Sequence, residues 1–303
     1  MKSSSKVSSF LNKPERAAYL FIAPAILVLL IFMFIPLVST IAVSTLRMDV
    51  FMQSATFIGL DHFIRMMGDG KFWNAFGNTA YFTAFEVPLQ IAVSLLAAVY
   101  VSRNTRLRKF VRSALFLPFV CSLTAIGIMW SFLLDPQIGL YTEYLTRLGL
   151  PRLAFLRDPQ LAMPAVILMT VWRNFGYTMV ILVAAVQTIP ASYYEAAQLD
   201  GAGKFRQFAN VTIPSIVPAL GFSVITATIM ALQVFDQIFV TTQGGPLGKT
   251  ETLVTYIYKS GFQTAPYDLG YASAISVMTL IFIMIVSLTM NRYFQSKEST
   301  DAR

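Results

Sequence analysis

Six long stretches of this chain carry almost no charge. Residues 17–46, 113–134, 207–235 and 269–291 contain no Asp, Glu, Lys or Arg, 72–102 contains only Glu86, and 159–194 contains only Arg173. A helix that crosses the hydrocarbon core of a bilayer takes about 20 mostly apolar residues, so each run is long enough. None shows the alternation of a barrel strand, and each is apolar on every side. The pattern predicts an all-α integral membrane protein with six transmembrane helices: one over 17–46, the others near 76–102, 113–134, 162–188, 209–235 and 269–291. Prolines at 24, 36, 88, 118, 164, 214 and 218 fall in or near these runs and predict kinks or helix ends, which membrane helices tolerate where neighbours satisfy the freed carbonyl. The first run is far longer than the about 7–15 apolar residues of a secretory signal and reads as a retained anchor.

Composition sharpens this picture. Charged residues make up 13% of the 303 and hydrophobic ones 56%, against about 25% charged in a soluble domain, and the mean hydropathy is +0.63. Too little polar surface exists to cover a soluble core, and intrinsic disorder is excluded by the same figures. Cys121 is the only cysteine, which rules out a disulfide scaffold, and it reads as a small packing residue. The net charge of +8 would suggest nucleic acid in a soluble protein, but here its distribution matters more. Residues 1–16, 103–112, 195–206 and 292–303 hold four, five, two and three Lys or Arg against five acids in all, whereas 47–71, 135–158 and 236–268 together hold eight bases and nine acids. Retained loops are enriched in Lys and Arg. Both termini are therefore expected in the cytoplasm, with polar tails at 1–16 and 294–303.

The segment between the fourth and fifth runs is the most informative. Pro190 disfavours helical geometry at Ile189 and ends the fourth span. Ser192 and Glu195 have the spacing of a capping box, and Gly201 supplies a C-terminal stop. A helix of about two turns follows, too short to be stable alone where isolated helices under about 12 residues are marginal. It needs something to pack against.

Glu195, Ala196 and Ala197, three residues, Gly201, nine residues, then Val211, Ile213 and Pro214 resemble the Glu-Ala-Ala signature of permease subunits of binding-protein-dependent ABC importers, with Val211 and Ile213 as apolar swaps for its Ile and Leu. Asp200 belongs to the same segment. Thr242, Gln243, Gly244, Gly245 and Pro246 resemble the Thr-x-Gly-Gly-Pro of the carbohydrate branch, of maltose and glycerol-phosphate permease type, as do Trp172, Arg173, Tyr177 and the stretch 187–190. The resemblance implies a type-1 importer permease (MetI-like) core over 73–293 plus one N-terminal helix, in a bacterial inner membrane. It implies that 190–210 is a coupling loop docking into a cytoplasmic ATPase. It also implies a second homologous permease, two ATPase subunits and an extracytoplasmic solute-binding protein, with no cofactor and no catalytic site in this chain.

The remaining chemistry is sparse. Gly244 to Thr250 mimics a phosphate loop, but Gln243 stands where its first glycine is required; the segment reads either as a turn or as a gate or contact for the binding protein. His62 is the only histidine, so no histidine metal cluster or Ser/His relay is available. Glu86 and Arg173 are the only charges inside the spans, where a charge costs at least about 2.5–3.5 kcal/mol. Each lies 14 residues from the outer end of its run, so they are candidates for an intramembrane ion pair, with Arg173 lining the solute path as the alternative. Trp130, Asn174, Tyr177, Gln233 and Asp236 are candidates for that path, since polar solutes need rings and hydrogen-bonding groups along an apolar passage. A passive six-helix channel and a proton-coupled carrier using Glu86 are the rival readings, and the coupling motif argues against both.

Overall fold

A computed structural model describes residues 14–51, 55–102, 105–149 and 151–301. Most of the N-terminal tail expected over 1–16 lies outside these residues. The main helices are α1 (Phe21–Val43), α2 (Gly70–Val101), α3 (Arg106–Val120), α4 (Leu123–Leu133), α5 (Ala162–Gln187), α6 (Ala191–Leu199), α7 (Lys204–Ser215), α8 (Val217–Leu232) and α9 (Leu269–Asp301). Four of them, α1, α2, α5 and α9, are long and apolar enough to cross a membrane alone. The third and fifth expected spans are each a bent pair: α3 meets α4 at 95° and α7 meets α8 at 73°. The breaks fall beside prolines, Pro118 ahead of Cys121 and Ser122 in extended geometry, and Pro214 and Pro218 on either side of Ile216. Cys121 is exposed at its break rather than packed. The C-terminal tail is helical through Asp301, as a continuation of α9.

The chain divides into two compact units. In the unit of residues 1–67 and 259–277, a two-stranded antiparallel ladder pairs Leu46–Arg47 with Thr56–Phe57. His62 is buried there, its Nε2 3.1 Å from the Leu46 carbonyl, and Arg65 donates to Asp268 at 2.7 Å.

The other unit, residues 68–258 and 278–303, is built around α2 and α5, whose contact is the most extensive in the chain. Asp69 caps α2 by accepting from the Lys71 amide at 2.9 Å. Along α2 all buried positions but Val87 recur every three or four residues, Phe72, Ala75, Thr79, Phe82, Glu86, Gln90, Ser94, Ala98 and Val101, which places them in one helical stripe. Two of its polar members tie α2 to α5: Gln90 donates to Thr178 at 2.8 Å and Ser94 to the Phe175 carbonyl at 2.9 Å. Helix packing in lipid relies on such bonds and on close van der Waals fit. Gly176 provides the fit on the other side of α5, where a Cβ would lie 2.2 Å from the Leu115 carbonyl oxygen, so only glycine lets α3 approach this closely. Around this frame Phe82, Val166, Met169, Ala227 and Ile238 form one apolar core, and Ala98, Met179, Leu182 and Ile216 form a second.

Candidate functional site

Three regions carry the residues singled out in the sequence. The first is the loop of 190–210. α5 ends at Gln187, and Pro190 in extended geometry is the residue that precedes α6. Ser192 therefore lies inside the helix, and no capping box forms with Glu195; Pro190 takes the cap position and the Tyr193 amide bonds its carbonyl at 3.2 Å. The expected stop is present. Gly201 has φ +74°, its amide donates to the Gln198 carbonyl at 3.0 Å, and the Ala202 amide reaches the Ala197 carbonyl at 2.8 Å. These are the two bonds of a Schellman ending, which requires the left-handed conformation that a Cβ penalises. The Tyr194 hydroxyl meets the Thr212 hydroxyl at 2.9 Å and Gln207 donates to the Ala202 carbonyl at 2.8 Å, anchoring the loop to the base of α7. Glu195, Ala196 and Asp200 are exposed, and so are Tyr193 at 57%, Leu199 at 90% and Phe205 at 83%. Pro214 lies at the start of the short helix Ile213–Ser215, ahead of the bend into α8.

The second region is the segment of Thr242, Gly244, Gly245 and Pro246, which follows the short helix Asp236–Thr241. It is a tightly bonded turn. The Gly245 amide bonds the Thr242 carbonyl at 2.8 Å, the Thr242 and Thr250 hydroxyls lie 2.7 Å apart, and Asn74 and Asn78 of α2 both donate to the Gly248 carbonyl at 2.8 Å. Leu247 protrudes, 88% exposed. Thr242, Gly245 and Pro246 line a concavity of about 370 Å³ with Asp135 and Arg157. Asp135 was not anticipated, although an Asp-Pro pair is a turn signal. Its carboxylate accepts from the Gln137 amide at 2.8 Å and the Ile138 amide at 3.2 Å, with Arg157 at 3.5 Å. Those two amides, and then Arg157, hold the carboxyl below the usual aspartate range.

The third region is a cavity of about 200 Å³ between α2, α5 and the α8 end. Glu86, Arg173, Asn174, Gln233 and Asp236 line it, with Thr170 and Gln237, which the sequence did not single out. Trp130 and Tyr177 do not. Trp130 packs edge-on against Trp172 at 5.8 Å, and Tyr177 stacks on Phe119 at 4.7 Å. Glu86 and Arg173 do not form the expected ion pair. Asn174, the residue after Arg173, lines the same cavity, and one position rotates a side chain by about 100° around a helix. The guanidinium instead donates to Asn174 Oδ1 at 2.9 Å and to the Phe119 carbonyl at 3.4 Å, above the Phe119 ring. Neither Glu86 oxygen is hydrogen-bonded.

Bent spans, an exposed loop helix and a polar cavity inside the helical core define a membrane permease. Residues 90–299 match the family of binding-protein-dependent transport system inner membrane components, and the chain belongs to that family. It is 34% identical to the probable ABC transporter permease protein YurN of Bacillus subtilis (strain 168), over 94% of this chain and 98% of that protein. It is also 34% identical to the lactose transport system permease protein LacF of Rhizobium radiobacter, over 92% and 94%. Its fold superposes with a TM-score of 0.79 and 26% identity, over 92% and 94% of the two chains, on a chain from the crystal structure of a bacterial alginate ABC transporter in complex with an alginate pentasaccharide-bound periplasmic protein. The chain is thus a multi-pass inner-membrane permease subunit of an ABC importer, and not an enzyme.

Proposed function

We propose that this chain forms half of the transmembrane pathway through which a carbohydrate or related polar solute enters the cell, powered by a separate ATPase that docks on the loop of 190–210. The observation that carries this reading is α6. A two-turn helix closed by Gly201 and tied down by Tyr194 presents Tyr193 and Leu199 uncovered, and Phe205 at the start of α7 is uncovered beside it in sequence. Burying a large apolar side chain is worth about 1.5–3 kcal/mol, so covering Leu199 and Phe205 would contribute several kcal/mol to docking. Glu195, Ala196, Ala197, Asp200 and Gly201 form the coupling motif. Both termini lie on the cytoplasmic side with this loop, in keeping with the Lys and Arg distribution.

Lactose and alginate, named for two of the relatives, support a carbohydrate as the solute. A second homologous permease completes the pathway, which Asn174, Gln233 and Asp236 line. The turn of Thr242, Gly244, Gly245 and Pro246 is the contact for a solute-loaded extracytoplasmic binding protein. ATP-driven closure of the ATPases draws the coupling loops together and opens the pathway outward, and hydrolysis resets it. Uptake is expected to vanish when the ATPase gene is deleted and to survive a protonophore while ATP is maintained. Uptake that persisted without the ATPase and collapsed with the protonophore would replace this reading with a proton-coupled carrier.

A further inference from the structure

We propose that the first two turns of α3 bind the headgroups of anionic phospholipids on the cytoplasmic side, with Arg106, Arg108 and Lys109 facing the phosphates and Leu107 and Phe110 seated among the acyl chains. This rests on the cytoplasmic placement of 103–112 in the reading above, and goes beyond it by assigning a lipid class and the residues that select it.

Every charge between Glu86 and Asp135 is positive: Arg103, Arg106, Arg108, Lys109 and Arg112. Four of the five fall within the first two turns of α3, which Thr105 opens by accepting from the Arg108 amide at 3.4 Å. Among the described residues no carboxylate pairs with them. Arg112 is turned toward the protein, donating to the Val101 carbonyl at 3.3 Å, and its buried Nε has no acceptor. Arg108 lies over the Tyr100 ring at 5.2 Å, a contact that attracts a cation without neutralising it. Arg106 and Lys109 are exposed. Like charges three and four residues apart on a helix repel, so this segment gains from an anion supplied by its surroundings.

The apolar positions choose a lipid over a protein as that anion. Leu107 and Phe110, each 72% exposed, open a stripe that continues through Ala114 and Leu117 along the outside of α3, while another side of α3 packs on α5 at Gly176. Arg106 and Arg108 stand about 100° to either side of Leu107, so cations flank the stripe where it begins. Tyr100, exposed near the end of α2, adds a ring of the kind that settles at headgroup level. An acidic soluble protein could neutralise the cations, but the stripe runs on from Leu107 to Leu117, about 15 Å at helical rise, into a membrane helix. Basic residues beside an apolar helix face are the arrangement that binds an anionic leaflet.

The test introduces the photo-crosslinking residue benzoylphenylalanine by Leu107→benzoylphenylalanine in the complete transporter, held in nanodiscs of equal phosphatidylglycerol and phosphatidylcholine, and reads the adducts by mass spectrometry. Phosphatidylglycerol adducts are expected to exceed phosphatidylcholine adducts at least roughly tenfold, since each nearby Lys or Arg strengthens binding to an anionic surface. Raising the salt to about 1 M, where the Debye length is about 3 Å, should bring the ratio close to one. So should Arg106→Gln, Arg108→Gln and Lys109→Gln combined. Equal adducts at low salt, which needs no charge variant, would overturn the proposal, as would an enrichment that survives either the salt or the triple change. Adducts to the ATPase subunit in place of lipid would give the patch to a protein partner and overturn it too. Both leaflets of a nanodisc hold the same lipids, so the ratio is independent of sidedness. ATPase co-purification tests the importer reading separately: its persistence beside a failed ratio overturns the lipid site alone, and its absence from the wild-type complex overturns the importer reading.

Discussion

The loop of 190–203 and the cavity at Glu86 are unfinished in opposite senses. The loop leaves apolar groups uncovered, Leu199 above all and Phe205 just beyond it, on a backbone closed by the Gly201 and Ala202 amides. The cavity leaves polar groups unsatisfied, Glu86 and the Arg173 Nε, inside well-packed helices. Uncovered apolar surface calls for a macromolecule, because its free energy scales with area. Unpaired buried polar atoms call for a small polar guest, because their energy lies in a few directed bonds. If the two regions serve two kinds of recognition, as proposed, perturbations should separate them.

The largest effect is expected at Gly176, two residues from Asn174 of the cavity. An alanine Cβ there would meet the Leu115 carbonyl oxygen at 2.2 Å, and overpacking of this kind costs about 1–3 kcal/mol. Gly176→Ala should lower the unfolding temperature of the purified chain by several degrees; an unchanged transition would show that α3 and α5 do not need their close approach. Tyr194→Phe works on the loop side. It removes one hydroxyl pair at 2.9 Å, worth about 1 kcal/mol, and should weaken ATPase binding several-fold with sugar binding intact. Loss of sugar binding in that variant would mean that the two regions are not separable.

The smallest effect is expected at Asp135. Its carboxyl is held low by the Gln137 and Ile138 amides, so the folded form favours the ionised state. The stability it adds is present above the ordinary aspartate value of about 3.9 and is lost as pH falls through the depressed folded value. Amide exchange at Gln137 and Ile138, corrected for intrinsic rates, should accelerate relative to the rest of the chain on acidification below about pH 4 and be fast at all pH values in Asp135→Ala. Protection that did not change with pH would show that the carboxylate does not hold the turn.

The two regions also differ in how far they were legible in the sequence. The loop was nearly complete on the page: Pro190 and Gly201 act through backbone conformation, which residue type dictates locally, and only the capping residue was misplaced, Pro190 for Ser192. The charge-free runs coincide with four long apolar helices and two bent pairs, because length and hydropathy are properties of the segment alone. Counting along the helices brought Glu86 and Arg173 to one cavity, since position along a helix gives height. Azimuth did not come through. Helices that are apolar all round carry no polar face to fix their rotation, so Asn174 rather than Arg173 came to stand opposite Glu86, and Trp130 and Tyr177 packed against other rings. The bends at 120–123 and 215–217 were signalled by Pro118, Pro214 and Pro218, but their angles depend on tertiary contacts that the sequence does not spell out.

The central claim is that the loop of 190–210 couples this permease to its ATPase, and Gly201 tests it most directly. A Cβ at this position meets no atom within 4 Å, so the cost of Gly201→Asp is confined to the left-handed backbone, about 1 kcal/mol or more, plus whatever the new side chain obstructs in a partner. The measurement is recovery of the ATPase with the affinity-purified permease, alongside membrane insertion of the variant. The account predicts normal insertion with the ATPase lost; normal ATPase recovery by Gly201→Asp, with uptake unchanged, would contradict it.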